Sequence, residues 1–508
     1  MLKFTSRENE TLIRICRKDL RISFLTLGSL FGLVSLIGLL VFFLSFENVI
    51  FFVGFCLTGI LAVIIVRHAY LKDNKRMLWN PLLFLGGYTF VADGIPALLS
   101  FLSLWDYLPI ANAEIQTRVL SIFIAIISLL SFWLGYWISN KFFTFKTKQL
   151  CRNSNLIIEE KPDMFYLFIL IVIYALVLWG RYELVYKMGV YLGSGIGGKP
   201  VYLQASLGFF DFSGCFLMAL MGYYYLGNKK KMWFIVALLI ALTDIWFAIL
   251  IAQKERLLTL ILAITFCWAF YQKKYNSKRQ LLIGFSFIII TIIIILSTGP
   301  LFLTLRSPFI SYEIRKNPVS IIDNFKENLS LEAYNISLQY IFKRVDETYV
   351  VSSALETFPS IIPYQYGKTY LQGIICSIPF GRKDDIPVTQ PNEWGRALGL
   401  SEPFDYITGT KVPWFMEGYV NFGILGVIGS SFIVGLLTTL LWQYFKSKIS
   451  LSTGLVFYAL YYDLLILHTH NGFMYIFKNL IMWAFPIFIV VMLIKHRSWM
   501  SKYRNKYI

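Results

Sequence analysis

Apolar runs of about 20 residues recur along the chain, separated by short connectors that carry lysine and arginine. A run of this length is what a helix needs to cross the hydrocarbon core of a bilayer. Of the 508 residues, 57% are hydrophobic and 15% are charged, whereas soluble domains average about a quarter charged residues. The pattern excludes a soluble globular fold. It predicts an all-α, polytopic membrane protein with about twelve transmembrane helices.

The basic connectors predict the orientation of these helices. Lys72, Lys75 and Arg76 follow the second apolar run, and Lys229–Lys231 follows the sixth. Because lysine and arginine are retained on the cytoplasmic side, these connectors and both termini are predicted to be cytoplasmic. The formal net charge of +18 therefore favours contact with anionic membrane lipid. Nucleic acid is not a predicted partner, since no basic patch forms on a soluble domain.

One segment, residues 300–413, departs from this pattern because it is long, mixed in charge and rich in Pro, Tyr and Arg. A segment this long is more than a simple connector, and its aromatic content argues against disorder. It is predicted to form a folded layer on the outer membrane surface. The chain then divides into transmembrane helices 1–9 (residues 1–299), this large external loop, and transmembrane helices 10–12 with a cytoplasmic tail (414–508).

Glu417 lies where the loop re-enters the membrane, at the start of a tenth helix predicted at about 416–442. A carboxylate at this depth is costly unless it is paired or solvated, which makes it a functional candidate. The glycines Gly423, Gly426 and Gly429 follow and would permit close helix contact. An alternative is that Glu417 pairs with Lys411 and only anchors the loop.

Cations on the predicted external face are candidates for an oxyanion site. The turn Gln253-Lys-Glu-Arg256 places two of them in four residues, which indicates either an anion site or an interfacial cluster with snorkelling side chains. The glycines between Arg181 and Lys199 suit either a phosphate cradle or a flexible turn. Arginine binds pyrophosphate well because its planar fork is bidentate and always charged. The substrate-binding candidates are Arg181, Lys254, Arg306, Arg315, Arg382, His468 and His470.

No metal or other cofactor is predicted. His468 and His470 offer two histidines without a third ligand, which is a poor metal site. The acidic pair Asp384-Asp385 resembles a metal-binding sequence, but the adjacent Arg382 and Lys383 neutralise it.

Three segments resemble the Wzy-type O-antigen and capsular oligosaccharide repeat-unit polymerases. They are the basic turn from Gln253 to Leu258, the segment Ser377-Ile-Pro-Phe-Gly-Arg-Lys-Asp-Asp-Ile-Pro387, and Pro413-Trp-Phe-Met-Glu-Gly-Tyr-Val-Asn-Phe-Gly423. The resemblance extends to the topology of most of the chain, and its motifs cover about thirty residues. It implies a helical fold similar to the glycosyltransferase-C class, in the bacterial inner membrane. The implied partners are an undecaprenyl-pyrophosphate-linked oligosaccharide, membrane lipid, a chain-length regulator and a flippase.

The implied reaction transfers the growing glycan from undecaprenyl pyrophosphate to a lipid-linked repeat unit on the outer face. The resemblance implies that Arg256 and Arg344 stabilise the charge that develops on the leaving pyrophosphate. Glu417 is assigned to take or orient the proton of the acceptor hydroxyl. Arg181 departs from an Arg-x10-Gly pattern, because Gly193 comes one residue late. Two alternatives are an O-antigen ligase and a flippase or transporter of lipid-linked sugars. Few ionisable residues lie deep in the predicted spans, which favours an enzyme over a transporter; the main exceptions are Asp211, Asp244 and Asp463.

Overall fold

A computed structural model describes residues 46–73, 90–94, 115–142, 164–183, 217, 221, 231–250, 347–377, 391–400, 412–448 and 472. Every regular element in these ranges is helical. In chain order they are α1 (Phe46–Asp73), a π-helical turn (Phe90–Gly94), α2 (Ile115–Phe142), α3 (Met164–Tyr182), α4 (Lys231–Leu250), α5 (Glu347–Thr357), α6 (Lys368–Ser377), α7 (Pro391–Ala397) and α8 (Trp414–Lys448).

Two of the described segments, Gln116–Phe142 and Trp414–Gln443, are long and apolar enough to cross a membrane. Shorter apolar helices occupy Phe52–Ile65 and Ile171–Tyr182. Large apolar side chains point away from the protein along these helices, which suits an acyl-chain environment rather than water. Among them are Leu120, Phe123, Leu130, Leu134, Leu176, Ile428, Ile433 and Leu437.

Helix α1 runs parallel to α2. Gly54, in the first half of α1, leaves room for Ile122 in the first half of α2, since a Cβ on Gly54 would lie 2.8 Å from the Ile122 Cγ2 atom. Further along both helices, the His68 ring lies 6.0 Å from the Trp133 ring and 5.7 Å from the Tyr136 ring, measured between centroids. Contacts that advance together along both chains define parallel helices.

Helix α2 also runs parallel to α8. Ser431 Oγ donates to Ser128 Oγ at 3.0 Å, and three turns later Gln443 Nε2 donates to Asn140 Oδ1 at 2.8 Å. Between them Gly435 meets the Phe132 backbone, and a Cβ there would collide with it. Close backbone approach at small residues is typical of packed membrane helices. The predicted topology gives the helices at these three positions the same outside-to-inside direction, in agreement with the parallel packing.

Helix α8 is broken at Phe422 (φ −140°, ψ 18°) and Gly423 (φ 62°, ψ −148°). Gly423 has a positive φ, which glycine adopts without steric cost. A Cβ on Gly418 would collide with the Gly426 carbonyl. In a straight helix these two residues would be about 12 Å apart along the axis, so the chain folds back at the break. We refer to residues 414–421 as α8a and to residues 424–448 as α8b.

The break corrects the sequence prediction of one helix over about 416–442, because the long helix proper begins at 424 and α8a packs against its first turns. The three glycines have separate roles. Gly426 makes the close contact, but with α8a rather than with another span; Gly423 makes the break; and nothing lies within 4 Å of a Cβ built on Gly429.

Helices from the predicted external loop pack where α2 and α8b begin. Thr117 Oγ1, in the first turn of α2, donates to Glu356 Oε1 of α5 at 2.8 Å. One buried apolar cluster joins loop and bundle, because it contains Phe358 and Trp394 of the loop together with Phe132 of α2 and Trp414 of α8. The described part of the loop is therefore a packed layer at one end of the bundle.

Candidate functional site

Glu417 lies on α8a, where the loop layer meets the bundle, and only 1% of its surface is exposed. Its Oε1 atom accepts a hydrogen bond of 2.9 Å from Thr369 Oγ1, in the first turn of α6. Thr369 is also buried. The carboxylate is therefore held in place by a residue of the loop, 48 positions away along the chain.

Asn421, one turn after Glu417 on α8a, completes a closed network. Its Nδ2 donates to Thr369 Oγ1 at 2.6 Å and to the Glu417 backbone carbonyl at 2.8 Å. Its Oδ1 accepts a hydrogen bond of 2.8 Å from the Gly367 backbone N–H. Because the Thr369 hydroxyl accepts from Asn421, its own hydrogen is directed to Glu417. Asn421 thereby sets the direction of the bond that reaches the carboxylate.

The loop chain also caps the end of α8a. The Gln365 N–H donates to the Val420 carbonyl at 2.9 Å, and the Tyr366 N–H donates to the Asn421 carbonyl at 3.1 Å. Carbonyls at a helix C-terminus lack partners within their own helix. These bonds supply partners at the break, and they fix the start of α6 relative to Glu417.

Gly472, from the last part of the chain, lies against the second carboxylate oxygen of Glu417. A Cβ on Gly472 would lie 2.6 Å from Glu417 Oε2 and 3.7 Å from the Val412 carbonyl oxygen. Only glycine fits here without displacing the carboxylate. Gly472 follows His470 by two residues in the sequence, so three distant parts of the chain contribute to this site.

Tyr370, next to Thr369 on α6, carries a perturbed phenol. Burial raises the pKa of Tyr370, the nearby negative charge of Glu417 raises it further, and a hydrogen bond with Asn421 opposes both. The phenol therefore stays neutral throughout the range in which a carboxylate is ionised. In that range it remains a hydrogen-bond donor beside Glu417.

Arg181 lies in the last turn of α3, where it is 5% exposed. Its Nη1 donates to Asp244 Oδ1 of α4 at 2.6 Å, and Tyr174 OH donates to the same oxygen at 3.2 Å. The Tyr174 oxygen also lies 3.3 Å from the Ile240 carbonyl oxygen. The Arg181 guanidinium, further along α3, lies 5.9 Å from the centroid of the Phe247 ring, further along α4, so the two helices run parallel. Glu417 and Arg181 are the two predicted site residues that the structure describes, and they lie in different surroundings. Glu417 is hydrogen-bonded to a hydroxyl, and Arg181 is bonded to a carboxylate.

The remaining predicted site residues lie outside the described residues. They are Lys254, Arg256, Arg306, Arg315, Arg344, Arg382, His468 and His470, together with Lys411, the alternative partner of Glu417.

The sequence reasoning missed Thr369, Gly367 and Gly472, and it gave no role to Asn421. A helical spacing of four from Glu417 is a usable signal for Asn421, because residues four apart share one helix face. Thr369 and Gly472 carry no such signal, since they are distant in sequence and ordinary in type.

Long apolar helices with outward-facing leucines, joined at one end to a packed loop layer that buries a carboxylate, define an integral membrane protein with a candidate site at that end. The family profile described as O-antigen polysaccharide polymerase Wzy matches residues 29–503. The chain belongs to this family. No curated protein and no solved structure matches the chain significantly.

The family match confirms the resemblance seen in the sequence and makes the protein a polytopic membrane protein of O-antigen polysaccharide biosynthesis. It selects the polymerase over the ligase and the flippase. The substrates of the family are lipid-linked oligosaccharide repeat units in the membrane.

Proposed function

We propose that this protein transfers a growing glycan from undecaprenyl pyrophosphate to an incoming lipid-linked repeat unit, on the outer face of the bacterial inner membrane. In this proposal about twelve helices span the membrane, both termini are cytoplasmic, and residues 300–413 are external. The charge distribution supports this topology. The parallel packing of α1, α2 and α8b supports it as well, since the chain between parallel helices must return across the membrane.

The observation that carries the proposal is the buried, fixed carboxylate of Glu417. A general base must be positioned near the proton that it removes, and its orientation must be fixed. Thr369 fixes Oε1, while Oε2 lies beside Gly472, which has no side chain. We assign the Glu417 carboxylate as the group that receives the proton of the acceptor hydroxyl.

The bond changes follow from this assignment. The acceptor oxygen forms a bond to the anomeric carbon of the donor glycan, and the bond from that carbon to the pyrophosphate oxygen breaks. The hydroxyl proton goes to Glu417, and the pyrophosphate leaves with the electron pair of the broken bond. The developing negative charge needs cationic donors already in position.

We assign that charge stabilisation to Arg256 and Arg344. Residues proposed to hold the rest of the substrate are Lys254, Arg306, Arg315, Arg382, His468 and His470. The position of Gly472 beside Glu417 supports a role for the histidine segment that precedes it in the sequence. Arg181 remains a proposed substrate residue, and its bond to Asp244 sets the orientation of the guanidinium.

The wider features implied by the sequence resemblance are also proposals. They are a glycosyltransferase-C-like arrangement of the helices and a functional partnership with a chain-length regulator and with the flippase that delivers the repeat unit.

Glu417→Gln tests the proposal, because glutamine keeps the size of the side chain and an oxygen acceptor for Thr369 but cannot take a proton. In a purified assay with lipid-linked repeat unit, we expect polymerisation to fall by a factor of about 10² or more, the usual contribution of a general base. The variant should still bind the substrate and elute as a folded protein.

Glu356→Gln is the matched control, because Glu356 also accepts a hydrogen bond from a threonine hydroxyl but lies in α5, against α2. It should polymerise at the parent rate. A Glu417→Gln protein that polymerises near the parent rate would remove Glu417 as the base and leave it an anchoring role.

A further inference from the structure

Helix α6 buries two polar side chains and exposes two large apolar ones. Thr369 and Gln372, three positions apart, are both buried. Leu371 and Ile374, also three positions apart, are 57% and 46% exposed. On an α-helix such spacings mark two separate faces. In a layer surrounded by water, the polar face would be exposed and the apolar face would be buried.

We infer that α6 lies within the outer leaflet of the membrane, with Leu371 and Ile374 in contact with lipid acyl chains. Removing a leucine or isoleucine side chain from water stabilises a protein. A helix that exposed both side chains to water would lose this stabilisation, whereas contact with acyl chains provides the stabilisation without a protein partner.

The apolar surface of α6 continues into the surface of the membrane helix. The Tyr370 ring lies 6.5 Å from the ring of Phe422, which is half-exposed at the break in α8. The apolar side chains of Ile424 and Leu425, at the start of α8b, are also exposed, and Leu425 is 78% exposed. Since α8b belongs to one of the two segments able to cross a membrane, the same lipid layer reaches α6.

The charged end of α6 fits the same placement. Lys368 is exposed at the first residue of the helix. A lysine at the end of a membrane-embedded helix extends its aliphatic stem along the apolar surface and places its ammonium at the lipid headgroups. The exposed face of α6 therefore carries one cation at its end and apolar side chains along its length.

This placement has a consequence that rests on the proposed function. Thr369, on the opposite face of α6, bonds Glu417, and a helix with its side chains is about 10 Å across. Acyl chains on the outer face of α6 would thus lie about one helix width from the carboxylate. A lipid carrier whose isoprenoid chain stays in the bilayer would then reach the site from the side of the membrane.

Fluorescence quenching of the full-length protein in phosphatidylcholine vesicles tests the inference. Leu371→Cys is labelled with bimane, and the signal of the parent protein labelled in the same way is subtracted to remove the native cysteines. Quenching by doxyl-labelled phosphatidylcholine is compared with quenching by iodide present on both sides of the membrane. Leu425→Cys is the lipid-facing reference, and Lys231→Cys, at the exposed first residue of α4, is the water-facing reference.

We expect position 371 to be quenched by doxyl lipid as strongly as position 425, and several-fold less by iodide than position 231. Strong iodide quenching would place α6 in water, and quenching by neither agent would place it against protein; either result overturns the inference. Ile374→Cys gives the same reading if the first variant does not fold. The measurement needs no polymerase activity, so its failure is separate from a failure of Glu417→Gln.

Discussion

Two buried carboxylates in this protein are held in different ways. Asp244 accepts a hydrogen bond from the guanidinium of Arg181 at 2.6 Å. Glu417 accepts one from the neutral hydroxyl of Thr369 at 2.9 Å. A direct ion pair stabilises the charged form of a carboxylate strongly and lowers its basicity, whereas a hydroxyl fixes the geometry and stabilises the charge less. The described bond of Asp244 is an ion pair between two helices, and the described bond of Glu417 joins the loop to α8a.

The largest effect expected from this comparison is on stability, at the ion pair. Asp244→Asn leaves the buried Arg181 without its carboxylate, and removing one partner of a buried pair costs about 3–5 kcal/mol. We expect Asp244→Asn to lose its folded state in detergent at a clearly lower temperature than the parent. Glu417→Gln should change that temperature little. Size-exclusion chromatography after a heating series measures both variants.

The double variant Arg181→Met with Asp244→Leu sharpens the result, because replacing both charges by apolar groups removes the uncompensated charge. It should regain thermal resistance. If it also polymerises normally, Arg181 is structural only; if it folds but fails to polymerise, Arg181 contacts substrate.

A smaller effect is expected at Thr369. Thr369→Val keeps the shape but removes the donor to Glu417, and a hydrogen bond to a charged group contributes about 1.5–3 kcal/mol. We expect the polymerisation rate constant to fall by about tenfold or more, with a smaller change in the substrate concentration for half-maximal rate. Thr369→Ser keeps the hydroxyl and should restore most of the rate.

Thr439→Val is the control for this change. Thr439 is equally buried, but its hydroxyl donates to the Gly435 carbonyl of its own helix at 2.7 Å, so its loss should leave the rate unchanged. Equal losses in the two valine variants would show a general packing effect and count against a positioning role for Thr369.

The smallest effect is expected at Tyr370. Tyr370→Phe removes one hydrogen bond of a neutral group, which contributes about 0.5–1.5 kcal/mol, and should slow polymerisation by no more than about tenfold. Because burial and the charge of Glu417 raise the pKa of Tyr370, its phenol is neutral at pH 7 and at pH 9. The loss should therefore be the same at both pH values, and a loss that disappears at pH 9 would mean that the phenol has already ionised there.

The sequence by itself indicated the class of fold and the helical character of the spans, and it singled out Glu417 as a candidate. These follow from local physics, since the length of an apolar run sets a membrane helix and an acidic residue beside such a run is costly. The predicted fourth and fifth helices, about 118–139 and 163–180, agree with Ile115–Phe142 and Met164–Tyr182 to within a few residues. The family resemblance could also be recognised from the sequence, because it rests on short motifs.

Only the tertiary structure decided what surrounds Glu417. The break at Phe422 and Gly423 depends on two backbone conformations within a run whose composition reads as one continuous helix. The bond from Thr369 spans 48 residues, and Gly472 reaches Glu417 from still further along the chain. Such contacts depend on how separate helices pack, and no local pattern of residue types encodes them. The same holds for Arg181 and Asp244, which pair across 63 positions and join α3 to α4.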